Sequence, residues 1–305
     1  MISAFQTLTL LFGTTLGLSV PLLTNTAERI IGGQPSLPSA FPFAASLIIR
    51  LPGGTGFCGG TLISDTLVAT AAHCVYNYSQ GRPWPATTMR VGLNSNVLEN
   101  QRALPVLQVY VHPAFDPREP KNDIAIVRIP SSGGVETARV FDGKLPSGTR
   151  LTAIGWGRTS AAPGSALPSA LQQTAIAVGE TESCAQFVPG FRGSDGPQIC
   201  TENRLLPGKD TCQGDSGTGV FVEDAGKMFL AGLTSYGANL NGDPTCALDD
   251  GFAVYTHVAF YRAFIDAVVK SAAAARRRRR VARERARSTV TVLVPIMPVV
   301  AANVL

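Results

Sequence analysis

From Ile30 to about Val269 the chain is written in short apolar runs, each cut off by glycine, proline, asparagine or serine. Ala44–Leu51, Leu62–Ala69, Val106–Val111, Ile124–Ile129, Leu151–Gly155, Gly219–Val222 and Met228–Thr234 are examples. None is long enough to make a buried helix, and none alternates with a helical pattern as a parallel βαβ sheet would require. The 31 Gly and 21 Pro, with only 15% charged residues, fit the same reading, and no internal repeat is visible. Many short strands at this spacing predict an all-β sandwich or barrel architecture. One helix is expected near the end, where Tyr261, Phe264, Ile265, Val268 and Val269 place an apolar stripe on one face.

Charge and cysteine narrow the function. The net charge of +5 is misleading, because residues 271–305 hold eight Arg against one Glu. That tail is +7, which leaves −2 on residues 1–270, so the body gives no reason to expect nucleic acid. Residues 276–287 read as a solvated, disordered basic run. The apolar stretch behind it, Val290–Leu305, is broken by Pro295 and Pro298. A membrane partner is expected only if this tail is a lipid-anchor signal, and residues 270–305 are otherwise a disordered or processed extension. Six cysteines, Cys58, Cys74, Cys184, Cys200, Cys212 and Cys246, could form three bridges. With no C-x-x-C pair and only three histidines, no metal site is expected, and no cofactor either. Residues 1–20, with an apolar run from Leu8 to Val20, read as a signal peptide, and export would oxidise the cysteines.

Three stretches carry chemistry. In Gly214-Asp215-Ser216-Gly217 the glycines permit a turn that presents the Ser216 hydroxyl, and the amides of Gly214 and Ser216 can converge on a developing oxyanion. A serine hydroxyl needs a base. His73, locked to Cys74 at the end of an apolar run, is the best placed of the histidines; His112 precedes a proline, and His257 lies just before the terminal helix. Asp123 stands at the mouth of the strand Ile124–Ile129, where a buried carboxylate could orient an imidazole or simply cap a turn.

Taken together, Thr70-Ala71-Ala72-His73-Cys74, Asp123-Ile124-Ala125, Gly155-Trp156-Gly157 and Gly214-Asp215-Ser216-Gly217 resemble the chymotrypsin-like serine proteases in order and spacing, from Ile30 to about Val269. The resemblance implies two antiparallel six-stranded Greek-key β-barrels with a C-terminal helix and the site in the cleft between them. It implies Ser216 as nucleophile, His73 as general base and then acid, Asp123 orienting His73, and Gly214 and Ser216 as the oxyanion hole. It implies bridges Cys58–Cys74, Cys184–Cys200 and Cys212–Cys246, each worth roughly 3 kcal/mol. Asp210 falls where trypsin-like members keep the acid of the primary pocket, and Ser235-Tyr236-Gly237 resembles the edge that pairs with substrate backbone. Residues 21–29 become an activation propeptide, cut between Arg29 and Ile30, whose new ammonium would pair with Asp215. The implied partners are proteins or peptides cut after Arg or Lys, and protein protease inhibitors.

Departures from the pattern are local. Thr218-Gly219 stands in place of Gly-Pro, Tyr236 in place of Trp, and Ala253 in place of a pocket glycine, where its methyl is expected to narrow the pocket. Residues 238–245 lengthen a rim loop, and Glu99 alone between Gly92 and Val111 argues against calcium. Asn77-Tyr78-Ser79 is a glycosylation sequon. The reading is a secreted trypsin-like endopeptidase made as a zymogen; its rival is a catalytically impaired homologue acting as a secreted binding or inhibitor protein.

Overall fold

The computed structural model describes residues 30–162 and 164–290. The expected signal peptide, the propeptide with Arg29, and the apolar end beyond Val290 lie outside these residues. Seven strands make the first sheet: β1 (Ala44–Leu51), β2 (Gly54–Ser64), β3 (Leu67–Thr70), β4 (Met89–Leu93), β5 (Arg102–Pro105), β6 (Gln108–Val111) and β7 (Ala125–Arg128). Their order is β5-β4-β1-β2-β3-β7-β6, all antiparallel. Only Val106 and Leu107 separate the two ends of this path. The Val106 amide donates to Met89 O and the Leu107 amide to Arg128 O, so β5 and β6 are one bent strand joining both edges. Counted so, the sheet is a closed six-stranded ring.

The second sheet closes in the same way. It holds β8 (Arg150–Gly155), β9 (Gln172–Ala177), β10 (Gln198–Glu202), β11 (Gly219–Asp224), β12 (Lys227–Asn239) and β13 (Gly251–His257), in the order β9-β8-β11-β12-β13-β10. A bridge between Val178 and Thr201 and a bond from the Gly179 amide to Cys200 O join β9 to β10. Two short pieces are added outside the ring, Gln34–Pro35 on β9 and Arg139–Val140 parallel to β12. Closing both sheets leaves, among the described residues, no long edge open to pair with another chain.

Strand alternation divides the core. Val220 and Val222 of β11 face the interior of the second barrel. Phe221, between them, points the other way and packs on Phe41 and Phe43, with ring centroids 5.8 and 5.0 Å away. Burying that ring contributes about 2 kcal/mol to holding the barrels together, and it does so beside the site.

Three expectations need correction. Leu62–Ala69 is not one strand. The chain turns at Asp65, whose carboxylate accepts from Ser131 Oγ and from the Ser132 amide and hydroxyl, and a polar side chain engaged this way favours a turn over a ladder. On the last helix, Arg262–Val290, Val269 is 37% exposed and Ala272 takes the buried place on the next turn. Residues 276–287, expected as disordered, are part of this helix. Arg and Ala are among the best helix formers, and no Gly or Pro interrupts the sequence from 262 to 290. Among the described residues no helix is long and apolar enough to cross a membrane.

Candidate active site

Strand β3 delivers the chain to α1 (Ala72–Val75), a single turn that carries His73 and is tied to β2 by the Cys58–Cys74 disulfide. Asp123 stands just ahead of β7, the strand paired directly beside β3, and is 1% exposed. Asn122 before it takes a positive φ of 55° and its Oδ1 accepts from the Tyr261 hydroxyl, so the turn leading into the terminal helix helps aim the acid. Asp123 Oδ1 accepts from the His73 amide at 2.9 Å, and Oδ2 accepts from His73 Nδ1 at 2.7 Å and Ser235 Oγ at 2.6 Å. Burial pushes this carboxyl up, but the His73 charge and the bonds from His73 and Ser235 outweigh it, holding the group below the ordinary Asp value. With Nδ1 committed as a donor, the neutral imidazole presents Nε2 as an acceptor. The side chain is 23% exposed, so a base is available at the surface of the cleft.

The serine turn follows from its glycines. Gly214 and Gly217 have φ of 99° and 76°, values that side chains resist. The Gly59 amide donates to Ser216 O and the Gly217 amide to Thr234 O, clamping the turn between the two barrels. Among the described residues the amides of Gly214 and Ser216 have no backbone acceptor, leaving two donors for an incoming oxygen. Ser216 and His73 line one cavity, without a direct hydrogen bond between Oγ and Nε2; such contacts tighten when substrate is bound. Thr218, a departure in the sequence, braces the turn from behind, since its hydroxyl and its amide both donate to Asp215 O.

On the other side of Ser216 is a cavity of about 220 Å³ with Asp210 in its wall, also lined by Ser235, Tyr236 and Gly237. Asp210 Oδ2 accepts from Asn203 Nδ2 at 3.0 Å and from the Ala247 amide at 2.8 Å. Among the described residues its Oδ1 is buried without a hydrogen-bond partner. Burial raises the Asp210 pKa despite these bonds. The longer rim loop contributes Ala238, Pro244 and Thr245 to the same wall. Ala253 does not line the cavity. It is buried with Tyr255 and sits directly across from Gly237 of the cavity wall, where a Cβ on that glycine would lie 3.6 Å from its methyl.

The remaining expected residues are placed as follows. Cys184–Cys200 and Cys212–Cys246 form the other two disulfides. Asp215 is fully buried, accepting from the amides of Gly157 and Cys212. Burial pushes its carboxyl up to about 7, against the pull of those two bonds. Ile30 is also fully buried and has a φ of 37°, a region that β-branched residues avoid. Asn77 cannot serve as an exposed glycan acceptor in this fold. It is 3% exposed, and its Oδ1 accepts from the Ser79 amide and hydroxyl and from the Gln80 amide. His112 packs edge-on to Tyr261 and Phe264, and His257 donates from Nδ1 to Gly196 O; both stand apart from Ser216. Two contributors escape a reading of the sequence, the Ser235 hydroxyl on Asp123 and Asn203 beside Asp210. The only hint of the first is a serine at a strand position that becomes buried.

The comparisons with known proteins agree with this geometry. The family model described as trypsin matches residues 30–265. Trypsin of Sus scrofa is 32% identical over 253 residues, covering 81% of this chain and 98% of its own length. Trypsin beta of Drosophila erecta is 30% identical, covering 82% and 93%, and cathepsin G of Mus musculus is 29% identical, covering 78% and 85%. The chain belongs to the trypsin family, the chymotrypsin-like serine proteases.

Proposed function

We propose that this chain is a secreted serine endopeptidase that cuts after Arg or Lys and is made as a precursor activated at Arg29–Ile30. The observation that carries the specificity is Asp210, a buried carboxylate with Oδ1 unpaired, in a cavity that shares Ser216. A buried carboxylate that is only partly hydrogen-bonded carries a desolvation cost that an arriving guanidinium or ammonium would offset, whereas an apolar side chain would not.

The reaction then follows from the bonds. His73 Nε2 takes the Ser216 proton as Oγ attacks the substrate carbonyl carbon. The carbonyl oxygen becomes an oxyanion held by the amides of Gly214 and Ser216, each such donor being worth roughly 3 kcal/mol to the transition state. Asp123 stabilises the imidazolium. The C–N bond breaks as His73 returns the proton to the leaving amine, and an acyl ester remains on Ser216. Water, deprotonated by His73, releases the acid and restores the serine.

Activation rests on Ile30 and Asp215. Cleavage before Ile30 would free its constrained backbone and supply an ammonium for the acid whose carboxyl burial has pushed up to about 7. Export rests on the apolar run Leu8–Val20 and on three disulfides. The test is to cut the precursor, show Ile30 as the new N-terminus, and assay amides of Arg, Lys and Phe. Arg and Lys amides should turn over and the Phe amide should not. No turnover in the parent, or undiminished turnover in Ser216→Ala, rejects the protease reading and leaves a binding protein.

A further inference from the structure

A second and larger cavity, about 520 Å³, opens beside the same serine. Ser216 is the only residue it shares with the Asp210 cavity, and His73 belongs to it alone. That division has a chemical meaning. The leaving amine must take its proton from His73 Nε2, so its nitrogen must come within hydrogen-bond reach of that atom. The peptide beyond the cut bond therefore departs along the wall that contains His73.

That wall is aromatic and uncharged. Phe57, Tyr76, Tyr78 and Trp84 line it with Ile49 and Leu51, and among the described residues no Asp, Glu, Lys or Arg does. Its frame is built in advance. The Cys58–Cys74 disulfide crosses it, and Asn77 Oδ1 gathers the Ser79 and Gln80 donors into a turn. The Trp84 amide donates to Val75 O, and Tyr76 meets Tyr78 and Phe115 edge-on at 5.9 and 5.2 Å. The buried asparagine of the sequon thus holds the loop that carries the rings. Tyr78 remains 59% exposed at the rim. The volume falls within the roughly 300–1,000 Å³ of ligand pockets.

We infer that this cavity receives the leaving-group side of the substrate and selects aromatic or large aliphatic side chains there over acidic ones. The inference rests on the protease reading above. An acidic side chain entering these walls would lose hydration with no cation to meet it, since His73 is already committed to Asp123. A ring or branched aliphatic chain would bury apolar surface against four aromatic residues.

Two measurements keep this inference separate from the protease reading. A chromogenic Arg amide, whose small leaving group does not extend into the wall, tests turnover alone. Quenched peptides identical up to the cut Arg, with Phe, Leu, Ala, Lys or Asp in the next two positions, test the cavity. For Phe and Leu, kcat/KM should exceed that for Asp by about tenfold or more, the scale of hydrophobic-pocket discrimination. In Trp84→Ala and in Tyr78→Ala the ratio should fall toward unity; the exposed Tyr78 makes the second variant the safer one to fold. Equal rates for Phe and Asp, a preference for Lys, or a ratio unchanged in both variants overturns the inference. If the Arg amide is not turned over, binding still decides. Phe-Leu-amide added to Ser216→Ala protein should shift the emission of Trp84, one of only two tryptophans, at concentrations where Asp-Asp-amide does not. Equal responses to the two overturn it.

Discussion

Two cavities meet at Ser216 and solve opposite problems. The one with Asp210 is small and holds a carboxylate with an unpaired oxygen. The one with His73 is about twice as large and is walled by rings. The first would recognise by charge: it carries a desolvation cost that a cation would offset, so its discrimination would be steep and sensitive to pH. The second would recognise by area, which grades gently with side-chain size and hardly responds to pH. A protease built this way would be strict on one side of the cut bond and permissive on the other.

The comparison can be broken most severely at its junction. Ser216→Ala should lower kcat by about 10⁶-fold, while an Arg-containing product still binds, measured by calorimetry. Loss of binding together with turnover would mean that the mutation damaged the cavities as well as the nucleophile. Next, Asp210→Ser should reduce kcat/KM for Arg amides by roughly 10³-fold, the scale of a broken buried charge pair. The Phe-over-Asp ratio on the leaving-group side should not change. If both preferences shift, the two cavities are coupled and the division fails.

A third test uses the buried acid behind the charged cavity. In the uncut chain Asp215 titrates at about 7, well above an unfolded Asp near 3.8. Between those values the folded chain binds more protons than the unfolded one, so stability is greatest below the lower pH and declines as pH rises through the higher. The loss is on the order of 4 kcal/mol. Urea denaturation of the Ser216→Ala precursor should therefore show a lower midpoint at pH 7.5 than at pH 4.5. Cutting before Ile30 should remove or reverse that trend by supplying the ammonium, and an unchanged trend would deny the pairing. The smallest expected effect is at Asn203. Its Nδ2 bonds both Asp210 and Leu248 O at 3.0 Å, joining the acid to the rim loop. Asn203→Ala should raise KM for Arg amides about tenfold with little change in kcat, the scale of one hydrogen bond to a charged group. A kcat effect instead would place Asn203 in the wrong role.

Much of this is legible in the residues themselves. Short punctuated runs announce strands, and four motifs in register name the family, the nucleophile loop and the disulfide pairing. The misses share a cause. Val106 and Leu107 look like the start of a strand, and only the closed ring makes them its corner. Asn77 reads as a sequon because its three-residue pattern carries no information about burial. The basic run reads as disordered when charge density is weighed above the helix propensity of Arg and Ala.

What the amino-acid sequence determined alone is local: which segments are extended, which turns need glycine, which side chains could act as nucleophile, base and acid. Those depend on neighbours a few residues away. Only the tertiary structure decided that the Ser235 hydroxyl would share Asp123 with His73 across 112 residues, or that Asn203 would brace Asp210. It also decided that Phe57, Tyr76, Tyr78 and Trp84 would gather into one wall beside Ser216. Those outcomes depend on how two barrels close and dock, and burial, which sets both the charge state of the acids and the shape of the cavities, is a property of that docking.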